Sequence, residues 1–331
     1  MRIEAWNIDE KEYPARGAFE DKARFLLRYA ILAPSGHNSQ PWKFEISKNK
    51  ITILPDLGRG RSVVDSEHRE LFISIGAVSK ILAISANRFG LGFERKIVDD
   101  KVEFIFNNES ANKKDLELFK AIVQRRTYRE AYLKKKIPQE IIEKIKNISG
   151  NEVMKALVTD VEKIKTMSAL VKKADFVWYK SRALIRELEE WMRDDLELSK
   201  DGLPTGMINM YKIAAETKYL FSKDSKIARE KANKDEDIAK NTPLFIVLST
   251  KNNETGDWIK AGEMYGEIIL TFQKLGLTSG VLGSITELTG IKKELTKHLK
   301  IEGFVQLVLS AGYAKVEVPE TPRRPLMEMI V

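Results

Sequence analysis

The sequence contains no cysteine and only three histidines in 331 residues. The first absence excludes disulfides, thiolate nucleophiles and thiolate metal sites. The histidines, His37, His68 and His298, have no neighbours at metal-ligand spacing, so we expect no metal site. No apolar run reaches the roughly 20 residues that cross a bilayer, and the chain does not begin with an apolar signal core. We therefore expect no membrane partner and a cytoplasmic location.

The chain is long enough for two hydrophobic cores, and its 43% hydrophobic and 31% charged residues are ordinary for a globular protein. The net charge of +8 admits a nucleic-acid binder as one alternative. However, the basic residues are interspersed with acidic ones, and the basic clusters, such as Lys134-Lys135-Lys136, are short. We therefore expect no nucleic-acid partner, and an excess positive charge that attracts anionic small molecules.

Hydrophobic periodicity predicts a chain of mixed helices and antiparallel strand pairs. The expected helices cover about 19–33, 71–89, 116–124, 138–148 and 258–275, with a charged helical stretch over 161–239 that breaks at 201–204. The expected strands cover about 43–46, 51–54, 93–98, 102–106, 154–158, 244–248, 281–285 and 304–309.

Two of the predicted helices look like copies of one another. Gly76 and Gly90 lie near the ends of one helix, and Gly262 and Gly276 lie at the same separation in the other. Each helix has an apolar body, a Gly-Leu stop and an extended segment after it. Glycine is a common helix stop, so chance resemblance is the alternative. The matching glycines at both ends favour an internal duplication.

The richest local motif is Ala33-Pro34-Ser35-Gly36-His37-Asn38-Ser39-Gln40-Pro41-Trp42, where a helix gives way to a strand. Small residues there allow a flat ligand to approach the backbone, and Ser35, Asn38 and Gln40 supply hydrogen-bonding groups. An ordinary helix-ending turn has the same composition. The residues alone leave both interpretations open.

Three further segments are candidate binding elements. Arg125-Arg126-Thr127 combines guanidinium forks with a hydroxyl, which suits a phosphate, although a solvated basic turn is the common alternative. The run Thr321-Pro322-Arg323-Arg324-Pro325 is a basic tail. The glycine-rich run 276–283 by itself indicates only a helix-to-strand turn.

Together these segments resemble the nitroreductase superfamily, and the resemblance covers the chain from about Phe19 to Leu326. It implies that Pro34, Ser35, Asn38 and Gln40 line a flavin ring. It implies that Arg125 and Thr127, with Arg126 between them, grip the FMN phosphate. It also implies that a backbone N–H at Leu282 or Gly283 meets the flavin N5, and that Arg324, a better match than Arg323, returns to the phosphate.

The motifs are divided between the two halves of the chain. The first half has the ring-lining turn but no clear Arg-x-Ser/Thr, whereas the second half has the phosphate, ring and tail elements but no such turn. In dimeric nitroreductases each flavin site is built from two subunits in this way. The division, together with Asp65-x-x-x-Arg69-Glu70, resembles the single-chain, two-lobed branch of the superfamily.

We therefore expect an α+β fold of two nitroreductase-like lobes, 1–110 and 111–331, that form an internal pseudo-dimer with one complete FMN site. The expected activity is NAD(P)H-dependent two-electron reduction of a small acceptor, such as a nitroaromatic or a quinone. We expect a monomeric chain for which further self-association is possible. A flavin-storage protein with little turnover is the alternative. A helical insertion over about 161–241 is expected to form a lid, unless it packs on a lobe away from the site.

Overall fold

The structure is a computed structural model, and it describes residues 3–107, 109–112, 116–148, 150, 152–193, 199–204 and 225–331. The helices are α1 (Phe19–Ala30), α2 (Arg69–Arg88), α3 (Phe119–Gln124), α4 (Gln139–Lys146), α5 (Val161–Lys180), α6 (Arg182–Glu190), α7 (Ser225–Lys240), α8 (Thr255–Lys274), α9 (Gly283–Glu287) and α10 (Thr289–Leu299). The strands are β1 (Trp42–Ser47), β2 (Lys50–Pro55), β3 (Phe93–Val98), β4 (Lys101–Phe106), β5 (Val153–Val158), β6 (Met192–Arg193), β7 (Leu203–Pro204), β8 (Leu244–Thr250), β9 (Thr278–Val281) and β10 (Phe304–Gly312).

Eight of these strands form two antiparallel four-stranded sheets with the same topology, and β6 and β7 form a separate parallel pair. The orders of the four-stranded sheets are β1-β2-β4-β3 and β5-β8-β10-β9. Each sheet thus contains its own first, second, fourth and third strand in that order, and each has a 20-residue helix, α2 or α8, between its second and third strands. This repeated topology supports the duplication that the paired glycines predict.

The helices α2 and α8 pack against each other at those glycines. A Cβ atom at Gly76 would overlap the carbonyl oxygen of Ile259 and lie 2.8 Å from the Cα atom of Gly262, and a Cβ at Gly262 would overlap the carbonyl of Ile73. The helix backbones therefore touch, and only glycine allows this approach. The other two glycines, Gly90 and Gly276, both have positive φ just after their helices, as expected of helix stops.

One core joins the two halves. The largest cluster of buried apolar residues runs from α1 and the first sheet through α2 and α8 to the second sheet. A smaller cluster covers the opposite face of the second sheet under α5, α9 and α10, so that every residue of β8 is buried. Helix α2 is long and apolar enough to cross a membrane, but 78% of its most apolar window is buried inside the protein, which identifies it as a core helix.

Most predicted elements form within a few residues of the expected bounds, and one does not. The expected strand 281–285 is wrong, because the strand there is β9 (Thr278–Val281), paired with β10, and Gly283–Glu287 is helical. The mostly apolar segment 281–285 is typical of a buried strand, but the apolar residues of a short helix that packs against the core give the same pattern. The predicted break at 201–204 lies within the described residues, whereas residues 205–224 lie outside them.

Candidate functional site between the two halves

Two adjoining chambers lie between the halves of the molecule. The large chamber, about 330 Å³, is lined from the first half by Pro34 and Ser35 and from the second by Thr127, Leu282 and Gly283. The small chamber, about 60 Å³, adds Asn38, Arg125 and Arg323. Pro34, Ser35 and Thr127 border both chambers. The structure thus brings together segments from both halves, as the division of the motifs predicts.

The turn that contains Pro34 and Ser35 has an unusual backbone. His37, Asn38 and Gln40 have φ values of 49°, 56° and 50°, a left-handed conformation that costs non-glycine residues energy and is found most often at functional sites. The hydroxyl of Ser35 accepts a 2.9 Å hydrogen bond from the Gln40 N–H and closes the turn. The strained loop presents Pro34 and Ser35 to the chambers.

Gln40 does not face either chamber, contrary to the expectation from sequence. Its side chain is fully buried, and its amide nitrogen donates to the carbonyls of Lys200 at 3.0 Å and Asn38 at 3.2 Å. Its amide oxygen accepts from the Arg324 N–H at 2.9 Å. Since these partners satisfy the amide, Gln40 fastens the turn to neighbouring segments. The Asn38 amide likewise donates to the Gly202 and Pro322 carbonyls, although Asn38 also borders the small chamber.

Arg125 is a buried cation beside the small chamber. Its guanidinium donates to the Leu32 carbonyl and the Thr127 hydroxyl, both at 3.2 Å, while its Nε atom is buried without a partner. Burial, together with the neighbouring Arg126 and Arg129, lowers the pKa of Arg125 to about 10. A buried cation without a counter-charge is unfavourable unless an anion joins it.

Arg323, not Arg324, accompanies Arg125. The Arg323 guanidinium is buried and donates to the Ile31 and Leu32 carbonyls and to Asn38 Oδ1, and its pKa lies well below the usual value because of burial and of Arg125 and Arg126. Arg324 instead turns to the Gln40 carbonyl and lies 3.8 Å from Asp56. The sequence spacing could not separate two adjacent arginines whose side chains leave the extended tail in opposite directions.

The remaining arginines of the motif differ in their partners. Arg126 forms an ion pair with Glu320 at 2.8 Å and stacks over Trp6, so it supports the wall of the site from outside. Arg129, which the sequence reasoning did not select, borders both chambers, and burial lowers its pKa. In the described part of the chain, no carboxylate forms an ion pair with Arg125, Arg129 or Arg323.

The Leu282-Gly283 segment offers one backbone donor to the large chamber. The Leu282 N–H is already bonded to the Val308 carbonyl at 2.9 Å. Gly283 is the first residue of α9, where the helix leaves N–H groups without intrahelical partners. Of the two residues that the resemblance selects, the geometry therefore favours Gly283 as the donor.

The described residues of the insertion form one wall of the large chamber. Its apolar and aromatic members there include Trp178, Tyr179, Leu188, Leu203 and Ile238. This position favours the expected lid over a helical pair that packs away from the site.

Polar contacts fasten the insertion to the first half. Buried Glu187 accepts the Val63 and Val64 N–H groups at 2.7 and 3.0 Å, and Asp201 forms an ion pair with Arg59. The Gly202 N–H donates to the Asn38 carbonyl at 3.3 Å. These contacts hold the described part of the insertion against the strained turn.

The segment Asp65-x-x-x-Arg69-Glu70 belongs to a buried ionic network at the edge of the large chamber. Asp65 accepts the Glu70 and Leu71 N–H groups in the first turn of α2 and thereby caps this helix. Glu70 pairs with Arg61 and Arg69. Neither Arg61 nor its second carboxylate neighbour, Glu287, carries a sequence signal, because the network joins segments that are distant in the chain.

A second cavity, also about 330 Å³, lies on the opposite side of the α2–α8 pair. Ser79 and Lys260 line it, while the equivalent positions of the other helix, Tyr265 and Ser74, line the large chamber. The second cavity is thus the counterpart of the first under the internal duplication. Its cations are paired at close range: Arg95 with Glu263 at 2.5 Å, Lys80 with Glu267 at 2.8 Å and Lys260 with Glu152 at 2.9 Å.

Residues 122–313, more than half of the chain, match the model of the nitroreductase family. The chain therefore belongs to the nitroreductase family. This membership makes it an oxidoreductase that acts on small molecules.

Two relatives from Mycobacterium tuberculosis match along nearly their whole length. The protein named "Putative NAD(P)H nitroreductase acg" is 22% identical over 325 residues, which cover 93% of this chain and 95% of the relative. The uncharacterized protein Rv3127 is 25% identical over 326 residues, which cover 91% of each chain.

Solved structures give weaker matches. The FMN-dependent nitroreductase NfnB of Mycobacterium smegmatis, in complex with NADPH, is 16% identical with a TM-score of 0.41, covering 64% of this chain and 96% of its own. Iodotyrosine deiodinase bound to FMN and 3-iodo-L-tyrosine is 16% identical with a TM-score of 0.40, covering 63% and 95%.

Proposed function

We propose that the chain binds one FMN across the two chambers and uses NAD(P)H to reduce a nitroaromatic or quinone-like acceptor. The observation that carries the proposal is the buried Arg125, with an unpartnered Nε, beside Thr127 and Arg323 at a chamber that opens into a larger one. A phosphate there would supply the missing counter-charge and accept charge-assisted hydrogen bonds.

The residues of the large chamber fit the ring system of the same cofactor. The small residues Pro34 and Ser35 line this chamber from the first half of the chain, and Gly283 lines it from the second half. When bound, FMN supplies two-electron chemistry, accepting hydride from NAD(P)H and reducing an acceptor. The chain itself binds and orients the cofactor, and the insertion excludes water from one side of the large chamber. The two nitroreductase-like lobes that we propose span residues 1–110 and 111–331.

Anaerobic mixing with NADH and NADPH tests this proposal directly. The purified protein is expected to carry flavin absorbance, to release FMN on denaturation, and to lose absorbance near 450 nm with one of the two nucleotides, roughly on the scale of ordinary enzyme turnover, about 1–10³ s⁻¹. Addition of p-benzoquinone should restore the absorbance. Release of FAD, or of no flavin, would contradict the phosphate assignment.

The alternative function, flavin storage with little turnover, is suggested by the insertion. Its described residues cover the large chamber and are fastened to the first half of the chain. We propose that the insertion, about 161–241, is a lid that decides which donors and acceptors enter.

Replacement of the insertion's central part, about 181–224, by a short Gly/Ser linker should raise the rate of flavin reduction by NAD(P)H. Dithionite, a small reductant, serves as the control. A folded, flavin-bound variant with both rates unchanged would show that this part does not cover the cofactor.

A further inference from the structure

Glu287 is a buried carboxyl group at the large chamber with no assigned role. Its side chain is only 7% exposed, and it lines the chamber together with Gly283. A Cβ on Gly283 would lie 2.7 Å from Glu287 Oε1, so the carboxyl group packs directly against the backbone that the proposed function places beside the flavin. Its other oxygen, Oε2, accepts a 2.8 Å hydrogen bond from the Trp178 indole of the insertion.

The charges around Glu287 do not balance if every carboxylate is ionised. Two cations, Arg61 and Arg69, face three carboxyl groups, Asp65, Glu70 and Glu287. Arg61 is committed to Glu70, with Glu287 at 3.6 Å from its other nitrogen. His37 lies 3.5 Å from Arg61, and burial together with that cation keeps its pKa well below the usual value. One proton therefore neutralises the group. Burial raises the pKa of Asp65 too, but Asp65 accepts the Glu70 and Leu71 N–H groups, which favour its ionised form, and this leaves Glu287 as the group that holds the proton.

The environment of the Glu287 carboxyl group agrees with this charge count. Burial, followed by the neighbouring Glu70, raises the pKa of Glu287 to about 8, against the lowering effects of Arg61, the Trp178 hydrogen bond and Arg69. The other titratable groups nearby are Asp175, which hydrogen-bonds to Ser284 of α9, and Lys292 of α10, whose pKa is lowered mainly by burial. At neutral pH Glu287 thus carries a proton beside the chamber.

We propose that Glu287 donates the proton that the acceptor needs when it takes up two electrons. The inference rests on the proposed function. Reduction of a quinone consumes a hydride equivalent, which NAD(P)H supplies through the cofactor, and one proton. The O–H bond of the Glu287 carboxyl breaks, an O–H bond forms on the quinone oxygen, and solvent reprotonates the carboxylate before the next turnover.

The first test measures the proton itself and does not depend on turnover. The protein as purified is labelled with ¹³C at the glutamate side-chain carboxyl and titrated by NMR. One resonance should titrate with a midpoint near the raised pKa of about 8 and should be missing from Glu287→Gln. A Glu287 resonance that titrates in the ordinary range of about 4–5 would overturn the inference.

The second test separates the two half-reactions. Glutamine keeps an acceptor for Trp178 but holds no proton to give. In the wild type, oxidation of the reduced protein by p-benzoquinone should slow as the pH rises through about 8. In Glu287→Gln it should be slower by about a hundredfold at pH 7, the lower end of what a positioned acid contributes, and independent of pH. Reduction by dithionite should be unchanged.

The matched control is Glu294→Gln, which removes a carboxylate that faces Lys173 on the surface and should leave both half-reactions as in the wild type. If Glu287→Gln does not fold, Glu287→Asp, which shortens the reach of the acid, should keep the pH dependence and slow the oxidation. A wild type that reduces no acceptor overturns the proposed function and this inference with it. Normal wild-type turnover with an unchanged Glu287→Gln overturns this inference alone.

Discussion

The two cavities on either side of the α2–α8 pair have the same origin in the fold but differ in whether their cations are paired. The chambers on one side are bordered by Arg125, Arg129 and Arg323, none of which forms an ion pair within the described residues. In the cavity on the other side, Arg95 and Lys260 are held by carboxylates. Because a duplicated fold supplies two equivalent places, we infer that the cations without carboxylate partners favour the first of them for an anionic ligand.

The backbone contact between the two central helices is the feature that both cavities depend on. We expect Gly262→Ala to produce the largest effect of the changes considered, because its Cβ would overlap the Ile73 carbonyl. Overpacking at an unyielding backbone contact should cost about 3 kcal/mol or more in the free energy of unfolding. Urea unfolding monitored by circular dichroism measures it.

The control for this change lies on the same helix. A Cβ at Gly256 meets nothing within 4 Å, so Gly256→Ala should leave the unfolding midpoint unchanged or raise it slightly. If the two substitutions have equal effects, the close approach of the helices does not hold the halves together.

The next largest effect is expected at the unpaired arginines. Arg125→Ala and Arg323→Ala should each weaken FMN binding by roughly ten- to a hundredfold, since a charge-assisted hydrogen bond contributes about 1.5–3 kcal/mol. Arg324→Ala is the matched control, because this neighbouring arginine faces Asp56 and the Gln40 carbonyl, and its loss should change the affinity little.

Riboflavin identifies the contact that these arginines make. It lacks the phosphate, so its binding should be nearly insensitive to Arg125→Ala and Arg323→Ala. Equal losses for FMN and riboflavin would mean that the arginines shape the pocket and do not bind the phosphate. A large loss in Arg324→Ala would restore the assignment that the sequence favours.

The sequence predicts local features of this molecule well. The strand pair β1–β2, the glycines at both ends of α2 and α8, and the division of motifs between halves are all visible in it, because each depends on short-range patterns. The misassigned strand at 281–285 and the choice of Arg324 over Arg323 show the limit of prediction from such short-range patterns. In both cases the outcome depends on which neighbour a side chain meets, and that is a property of packing between distant segments.

The same limit explains why the buried network was missed. Arg61, Glu287 and Trp178 come from three separate parts of the chain and match no motif. Only their burial together at the chamber reveals the excess carboxylate. Gln40 is the converse case, since its motif is clear but its side chain serves the turn and not the chamber.

A moderate effect on stability is expected from Glu287. Its pKa is about 8 in the folded protein and 4.5 ordinarily, so the folded state holds the extra proton between these values, and its contribution to stability is lost as the pH rises from about 4.5 to 8. The slope is at most about 1.4 kcal/mol per pH unit for one proton. Asp175, with its pKa raised to about 7 mainly by burial, adds a similar slope at lower pH.

Glu287→Gln should therefore become more stable relative to the wild type as the pH rises from 6 to 8. Urea unfolding at several pH values in this range gives the comparison, with Glu294→Gln as the control that should run parallel to the wild type. Parallel curves for Glu287→Gln and the wild type would mean that Glu287 is ionised in the folded protein.

The smallest effect is expected in the second cavity. Arg95→Ala removes the partner of Glu263, whose pKa is already raised by burial, yet it should leave FMN affinity within about twofold, because distant sites act nearly independently. The wild type and the variant should both release close to one FMN per chain when the flavin is quantified against protein after denaturation. A ratio near two in the wild type would show that the second cavity also binds FMN, although its charges are paired. A ratio that rises only in Arg95→Ala is not expected either, because removing a cation from this cavity makes it less suited to a phosphate.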